Sequence, residues 1–304
     1  MLVFDTPQYM NTLDWFGQPT DTSCGPVVLR RVGRTYWDAW GSWPYQSLPT
    51  LERLQAIRDL PKFSPLAFTA VIRPDVEAVR ADDKVSSIRK RYNVEFRVLK
   101  THLGHCPGHP PGRGHYSRRT RRRLEHATRV FFVQRETLLP EHLIMSHWQS
   151  RLKKLRSINA FSSPDEQHFA RLITSFGSHP EDTACIALRR RDTGTLAGIF
   201  LFFSALGSQG WHAHSFLLEE GVLKDFGAYV LFDQAIALLG DTEVWFGGAP
   251  SGANGKGVFT FKQKFANCSG QAHILSVDLN DIRLKEVRSS CGTSRWLPDY
   301  RNQR

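Results

Sequence analysis

The residues best suited to proton transfer lie close together in the last third of the chain. His212 and His214 fall in a predicted strand at 211–217, and Glu219 follows just beyond its end. Side chains alternate along a strand, so both histidines should share one face. Imidazole can accept a proton near neutral pH, and a carboxylate offers a second acceptor. Two half-buried structural histidines beside Trp211 would give the same pattern.

A second chemical feature is a run of positive charge near the middle of the chain. Eight arginines and a single acid, Glu125, lie between Arg113 and Arg135, in a protein of net charge +11. Such a segment attracts polyanions, for example a phosphate-bearing substrate, coenzyme A or tRNA. Arg119 and Arg122 are the candidates for phosphate binding, although the cluster also fits a solvated helix face.

Two further arrangements point to other chemistry. Gln18 lies six residues before Cys24-Gly25, as at the start of papain-like peptidases, and His115 could serve as the partner base. His102, His105, Cys106, His109 and His115 could offer metal ligands, but they fall in a segment rich in glycine and proline with no second ligand pair. We predict no metal site.

Length and composition bound the class of protein. The chain has 304 residues, 41% of them hydrophobic and 23% charged, which is typical of a globular protein with two domains or two fused halves. No apolar run approaches the ~20 residues of a membrane span, and no signal peptide is recognisable. Five scattered cysteines without a C-x-x-C pair suggest reduced thiols. We expect a cytoplasmic protein without a membrane partner.

The elements that must position these residues follow from pattern. In the first half we predict strands at 1–4, 27–32, 66–72 and 94–100, helices at 8–16, 51–60 and 82–92, and loops at the tryptophan-rich segment after Val32 and at 101–115. Thr50 should cap the helix at 51–60, and Ser117 should cap an arginine-rich helix that leads into a strand at 130–135 and a helix at 140–156. The second half reads as a helix capped by Ser163, two strands at 184–190 and 195–204 joined by a turn at Asp192-Thr193-Gly194, a strand at 211–217, a helix at 228–239, a strand at 243–246, a glycine-rich loop and a strand at 272–277. This order is that of an α+β protein with a ligand cleft beside the helix after the third strand.

Three motifs accompany this order of elements. Gly247-Gly248 is followed by Gly257-x-x-x-Phe261-Lys262-x-x-Phe265, Phe4-x-Thr6-Pro7-x-Tyr9 lies near the start of the sequence, and Tyr116–Leu124 is strongly basic. Together with the order of elements, they resemble the Fem-like branch of the GNAT acyltransferases. The first is similar to its signature of two glycines and a later G-x-x-x-F-K-x-x-F, the second to its opening and the third to its basic helix. The resemblance implies tandem GNAT-like halves with mixed, mainly antiparallel sheets, which we place at 1–135 and 136–304, the second half carrying the active site.

The resemblance also implies residue roles. Phe261 and Lys262 fall on the family's F-K pair, where the lysine steadies the donor carbonyl; a solvated face bearing Lys262 and Lys264 is the other interpretation. Gly247 and Gly248 would let the backbone approach a ligand closely. The usual pyrophosphate loop corresponds to 224–229, where Tyr229 replaces a small residue and Asp225 adds negative charge. These departures weigh against ordinary coenzyme A binding.

The sequence therefore predicts an acyltransferase with no tightly bound cofactor. Its donor would be an acyl-CoA, an acyl-carrier protein or an aminoacyl-tRNA, and its acceptor a small-molecule or peptide amine. Lys262, His214 and Glu219 are the candidate catalytic residues, and Phe261, His212 and Tyr229 are candidates for substrate binding. A basic nucleic-acid-binding protein without enzymatic activity is the alternative.

Overall fold

A computed structural model describes residues 5–14, 16–32, 34–42, 46–72, 85–108, 116–136, 141–157, 166–177, 181–204, 210–249 and 253–291. The chain divides into two compact units. The first comprises Met1–Thr101 and Gln271–Arg304, and the second comprises His102–Gly270. The predicted strand at 1–4 and the cap at Ser163 lie outside the described residues.

The first unit holds a sheet with the order β1-β2-β3-β4-β11. Its elements are α1 (Pro7–Asn11), β1 (Gln18–Thr20), β2 (Val27–Val32), β3 (Tyr36–Trp40), α2 (Leu51–Arg58), β4 (Ala67–Ile72), α3 (85–89), the start of β5 (Val94–His105), β11 (Cys268–Asp278) and α9 (Asp281–Cys291). Its pairs are antiparallel except β3 with β4, which run parallel. Leu54 and Ile57 of α2 pack with Phe68 and Leu275 in its core.

The second unit repeats this plan. It contains α4 (Arg118–Val130), β6 (Phe131–Glu136), α5 (Glu141–Ser157), α6 (Glu166–Gly177), β7 (Thr183–Arg190), β8 (Leu196–Ser204), β9 (Gly210–Leu218), α7 (Gly227–Leu238), β10 (Glu243–Gly247) and α8 (Ala253–Lys262). The strand order is β6-β7-β8-β9-β10, followed by the end of β5. Among the described strand pairs of this unit, only β9 and β10 run parallel, and α7 connects them as α2 connects β3 and β4.

Each unit has a series of antiparallel strands, one parallel pair connected by a helix, and a closing antiparallel strand. This shared arrangement confirms the predicted tandem of two α+β halves. The closing strands explain why the two units differ from the predicted division at 135/136. Leu103–His105 of β5 close the second sheet on β10, while His273–Asp278 of β11 close the first sheet on β4. Long-range pairing of this kind leaves no local signal in the sequence.

Several predicted helix starts are confirmed in atomic detail. Thr50 Oγ1 accepts a hydrogen bond from Arg53 N at 3.2 Å, and Ser117 Oγ accepts one from Thr120 N at 3.2 Å. Each cap satisfies an amide that the first turn of a helix leaves without an internal partner. The Asp192-Thr193-Gly194 turn joins β7 and β8 as predicted, with Gly194 at φ +69°.

Two segments predicted as loops form strands, because partner strands outweigh local composition. The tryptophan-rich segment predicted as a loop forms β3, paired with β2. Residues 101–105, also predicted as a loop, continue β5, where a Cβ on Gly104 would lie 2.9 Å from the Trp245 ring. The glycine-rich loop ends early, since α8 begins at Ala253, and the helix predicted at 8–16 stops at Asn11.

The described helices also bear on the membrane prediction. No helix in the described part of the chain combines the length and the apolar character that crossing a bilayer requires.

Candidate active site

A cavity of about 520 Å³ opens where the two parallel strands of the second unit separate. The register of β9 and β10 ends with Trp245 opposite His212. The next residues of β9, Ala213 to Phe216, and Phe246 and Gly248 after the paired part of β10 line the cavity. Helix α7 forms another wall, as the sequence predicted for the helix after the third strand.

The two histidines of β9 differ in their relation to the cavity. Phe202 pairs with Ala213 and Leu201 with Ser215, so His214 is left between two ladder positions in a β-bulge. His214 lines the cavity, whereas His212 is 1% exposed and is not among the lining residues. The His214 ring contacts Phe203, the ladder partner of His212, at 5.5 Å between ring centres. His214 Nδ1 lies 2.8 Å from Ser215 Oγ, which fixes the orientation of the ring.

Helix α7 enters the cavity wall through an unusual N-terminus. Its N-cap, Phe226, has a left-handed backbone at φ +57°, which is costly for a residue with a bulky side chain. Gly227 follows because a Cβ there would collide with Val222. Phe226 and Tyr229 both line the cavity, and the Tyr229 ring meets Phe261 edge-on at 5.2 Å. The predicted ligand-binding residues Tyr229 and Phe261 thus share one wall.

Lys262 lies at the C-terminus of α8 and reaches the end of β10. Its ammonium donates hydrogen bonds to the carbonyl oxygens of Gly248 at 2.6 Å and Phe246 at 2.7 Å, with a longer contact of 3.4 Å to that of Gly247. Gly247 has φ +74°, a conformation that favours glycine and turns the chain at this point. Lys262 and Gly248 line the cavity, and Gly247 is not among its lining residues. The solvated interpretation of Lys262 does not fit a half-buried ammonium held in this way.

The arginines of α4 line a separate, open depression of about 470 Å³ on the same unit. Its walls are Arg118, Arg119, Arg122, Arg123 and Phe226. Arg123 is the link to the cavity, because it donates a hydrogen bond to the Tyr229 hydroxyl and stacks 5.1 Å from the Phe226 ring centre. Phe226 belongs to both walls, so the basic surface adjoins the mouth of the cavity.

Comparison with solved structures identifies the fold. No protein-family model matches the sequence, and a search of curated proteins finds no significant match. FemX matches with a TM-score of 0.66 and 10% identity, covering 92% of this chain and 92% of FemX. L-PGS from Bacillus licheniformis matches with a TM-score of 0.51 and 12% identity, over 92% of this chain and 90% of its own. The chain has the fold of FemX.

A third match has the same fold. The C-terminal domain of a candidate lysylphosphatidylglycerol synthetase from Agrobacterium fabrum gives a TM-score of 0.53 at 13% identity, covering 94% of this chain and 92% of that domain. Identities of this size concern the fold alone. The predicted resemblance to the Fem-like branch of the GNAT fold is confirmed at that level.

Within this Fem fold, Glu219 lies apart from the cavity. Its side chain is 40% exposed, forms an ion pair with Arg190 at 3.5 Å, and is not among the lining residues. The Glu219 carboxylate also opposes the desolvation that lowers the pKa of buried His147. The strand ends at Leu218, one residue before Glu219, and the Glu219 carboxylate pairs with Arg190 of β7.

Sequence reasoning missed part of the cavity wall of the second unit. Ser215 and Phe216 follow the bulge, which local pattern could not reveal. Phe200, Phe232 and Phe246 come from three different elements and meet only in the folded chain. Arg123 belongs to the predicted basic cluster, so the sequence did point to it. Only its hydrogen bond to Tyr229, which depends on the folded chain, sets it apart from Arg119 and Arg122.

The two alternative chemical sites remain separate from this cavity. Cys24 is exposed, with Ser23 Oγ 3.9 Å from its sulfur, and His115 lies outside the described residues. His102 and His105 are buried in β5, where His105 Nδ1 lies 3.3 Å from the carbonyl oxygen of Phe265. Within the described ranges, no group of three or more histidine, cysteine or acidic residues could hold a metal ion.

Proposed function

We propose that this chain is an acyltransferase that moves an acyl or aminoacyl group from an activated donor to an amine, in the cavity of the second unit. The observation that carries the proposal is the Lys262 ammonium fixed on the wall of a cavity between separating parallel strands. The name of one matching protein, lysylphosphatidylglycerol synthetase, refers to a product bearing an aminoacyl group, which agrees with this reaction class.

In the proposed step the amine nitrogen attacks the carbonyl carbon of an ester or thioester. A C–N bond forms, the carbonyl oxygen becomes an oxyanion, and the C–O or C–S bond then breaks to release an alcohol or thiol. The amine loses one proton and the leaving group gains one. The protein must hold the two reactants together, accept the proton and stabilise the oxyanion.

Lys262 is suited to the oxyanion. Two short hydrogen bonds, to Gly248 and Phe246, fix the ammonium, and the third contact, to Gly247, is long at 3.4 Å. We propose that the donor carbonyl oxygen displaces the Gly247 contact as charge develops on it. A donor held in place before the reaction stabilises a transition state by about 3–4 kcal/mol at comparable sites.

His214 is the proposed proton acceptor. When Nδ1–H donates to Ser215 Oγ at 2.8 Å, Nε2 carries the lone pair that can take the proton of the attacking amine. The β-bulge supports this role because it brings His214 into the cavity lining, alongside Lys262. Glu219 and His212 are not proposed for this step, since neither lines the cavity.

The basic depression is proposed to bind the phosphates of the donor. Arg118, Arg119 and Arg122 form no ion pair with the carboxylates of the described residues, and they adjoin the cavity mouth at Phe226. Coenzyme A, a phosphopantetheine carrier and tRNA all carry phosphate, so charge fits each donor. Asp225 pairs with His126 at 3.6 Å and belongs to the segment that, by the resemblance, corresponds to the pyrophosphate loop, so its carboxylate weighs against coenzyme A as the donor.

The test is transfer of a radiolabelled acyl group from each donor class, acyl-CoA, acyl-carrier protein and aminoacyl-tRNA, to amines in a metabolite extract. Wild-type protein should label an amine product with one donor class. Lys262→Met should abolish most labelling, whereas Lys264→Met, two residues away and not lining the cavity, should retain it. Donor binding without transfer for all three classes would instead support the non-enzymatic nucleic-acid binder.

A further inference from the structure

The wall of the cavity is unusually aromatic. Six of its sixteen lining residues are phenylalanines: Phe200, Phe216, Phe226, Phe232, Phe246 and Phe261. The rings pack against one another, for example Phe200 with Phe216 at 5.0 Å and Phe232 with Phe246 at 5.2 Å between centres. Contacts of this kind hold the rings in place, so the space is a formed cavity with apolar walls.

The charge of the lining is as distinctive as its apolar character. Lys262 is the lining residue with a permanent charge, and no aspartate or glutamate lines the cavity within the described residues. A cationic acyl side chain would lose its hydration here without gaining a carboxylate partner, and Lys262 would repel it. The cavity therefore disfavours basic acyl groups.

The volume of the cavity argues against small acyl groups. An acetyl, glycyl or alanyl group would leave most of about 520 Å³ without contact to the phenylalanine rings. The mouth extends the apolar surface, because Leu223 is 57% and Val258 is 40% exposed there. Apolar side chains left exposed at the rim of a cavity are typical of a binding site for an apolar group.

We infer that the acyl group transferred is large, uncharged and apolar, with an aromatic or branched aliphatic side chain. This inference rests on the proposed function and specifies the substrate class of the same site. Each buried methylene contributes about 0.8 kcal/mol, so the side chain of the acyl group supplies most of the discrimination.

The test uses four neutral-backbone carboxamides that differ only in the acyl end: propanamide, 4-methylpentanamide, 3-phenylpropanamide and 6-aminohexanamide. Ligand-observed NMR measures their dissociation constants with wild-type protein. We expect 3-phenylpropanamide and 4-methylpentanamide to bind at least about tenfold more tightly than the other two. Equal binding of propanamide, or tighter binding of 6-aminohexanamide, would overturn the inference.

A matched pair of variants locates the binding. Gly257 lines the cavity, and a Cβ there would meet nothing within 4 Å, so Gly257→Leu can fill the cavity without a backbone clash. It should weaken 3-phenylpropanamide binding by about tenfold. Thr260→Leu adds the same side chain on an exposed position of α8 outside the lining and should leave binding unchanged. Unaltered binding to Gly257→Leu would place the amides elsewhere and contradict the inference.

The outcome separates this inference from the proposed function. If the protein discriminates among the amides as expected but no donor supports transfer, the inferred preference for large apolar groups stands and the proposed acyltransferase activity is contradicted. If transfer occurs and acetyl, glycyl or lysyl groups move as fast as phenylalanyl or leucyl groups, the acyltransferase stands and the inference fails.

Discussion

The two units contain the same parallel step, and they treat the space beyond it differently. In the first unit, β3 and β4 pair through Ala39–Phe68 and Trp40–Thr69. The chain then returns into the gap: Gly41 N donates to Thr69 O at 2.8 Å, and Gln46 N donates to Val71 O at 2.7 Å. The fully buried Gln46 side chain accepts a hydrogen bond from Ser42 N at 2.9 Å. The gap is closed by the protein itself.

In the second unit the corresponding gap is open. Gly247 turns β10 away, the bulge at His214 bends β9, and the cavity lies between them. Lys262 binds the carbonyl groups at the end of β10 but leaves the cavity unfilled. The comparison indicates that a ligand-sized cavity depends less on the shared topology than on whether the chain itself fills the space where the parallel strands part.

The largest expected effect separates these two gaps by activity. Lys262→Met removes the fixed ammonium from the open gap and should lower kcat/KM for transfer by about 10²–10³-fold. Two carbonyl groups lose a donor, so the free energy of unfolding should also fall by about 1–2 kcal/mol. Steady-state transfer assays, run at a temperature where circular dichroism reports a folded variant, measure the effect.

Gln46→Ala is the counterpart in the closed gap. It should lower the free energy of unfolding, because Ser42 N loses its acceptor in a buried site, while kcat/KM changes less than about twofold in the folded variant. A loss of transfer in Gln46→Ala as large as that in Lys262→Met would contradict the assignment of chemistry to the second unit alone.

The second prediction concerns stability in the closed gap. A Cβ on Gly41 would overlap Gln46 Oε1 and lie 3.0 Å from the Ala70 Cβ, so Gly41→Ala should cost about 1–3 kcal/mol in urea denaturation. The double variant Gly41→Ala with Gln46→Ala should be more stable than the sum of the single effects predicts, since the overlapping side chain is gone. Additive effects would mean that Gln46 does not fill the gap.

The sequence predictions are accurate where an element depends on neighbouring residues and wrong where it depends on residues far away in the sequence. The strand β2, the caps at Thr50 and Ser117 and the hairpin at Gly194 depend on neighbouring residues and are confirmed. The strand character of β3 and of residues 101–105 depends on distant partners and was missed. Closure of each sheet by a strand from another part of the chain could not be derived from local pattern.

The candidate site shows this contrast within a few residues. Lys262, Phe261, Tyr229 and Gly248 were singled out through a motif and line one cavity. His214 lies at a bulge of β9 and lines that cavity, while His212, two residues earlier, is buried and does not line it. The other phenylalanines of the cavity wall were missed because they lie far apart in sequence and meet only in the folded chain.

The third prediction compares exposed arginines of the two units. Arg119→Ala with Arg122→Ala should raise the KM for the donor by about tenfold with kcat unchanged, because the arginines are proposed to bind phosphate and lie outside the cavity. The difference should shrink as salt increases. Arg58→Ala with Arg283→Ala removes the same charge from exposed positions of α2 and α9 in the first unit and should leave the KM for the donor unaltered. Equal effects of both pairs would mean that the arginines of the basic depression attract the donor only through general charge and do not form a phosphate-binding site.

The smallest expected effect has the opposite sign. Gly257 lies inside α8, and a Cβ there meets no atom within 4 Å, in contrast to the crowded Gly41 of the first unit. Gly257→Ala should therefore raise the free energy of unfolding by about 0.5–1 kcal/mol, because alanine loses less backbone freedom in a helix than glycine. Chemical denaturation measures the change, with Gly41→Ala as the destabilised reference. A loss of stability in Gly257→Ala would mean that the space beside α8 is occupied, and the contrast between an open and a closed gap would no longer hold.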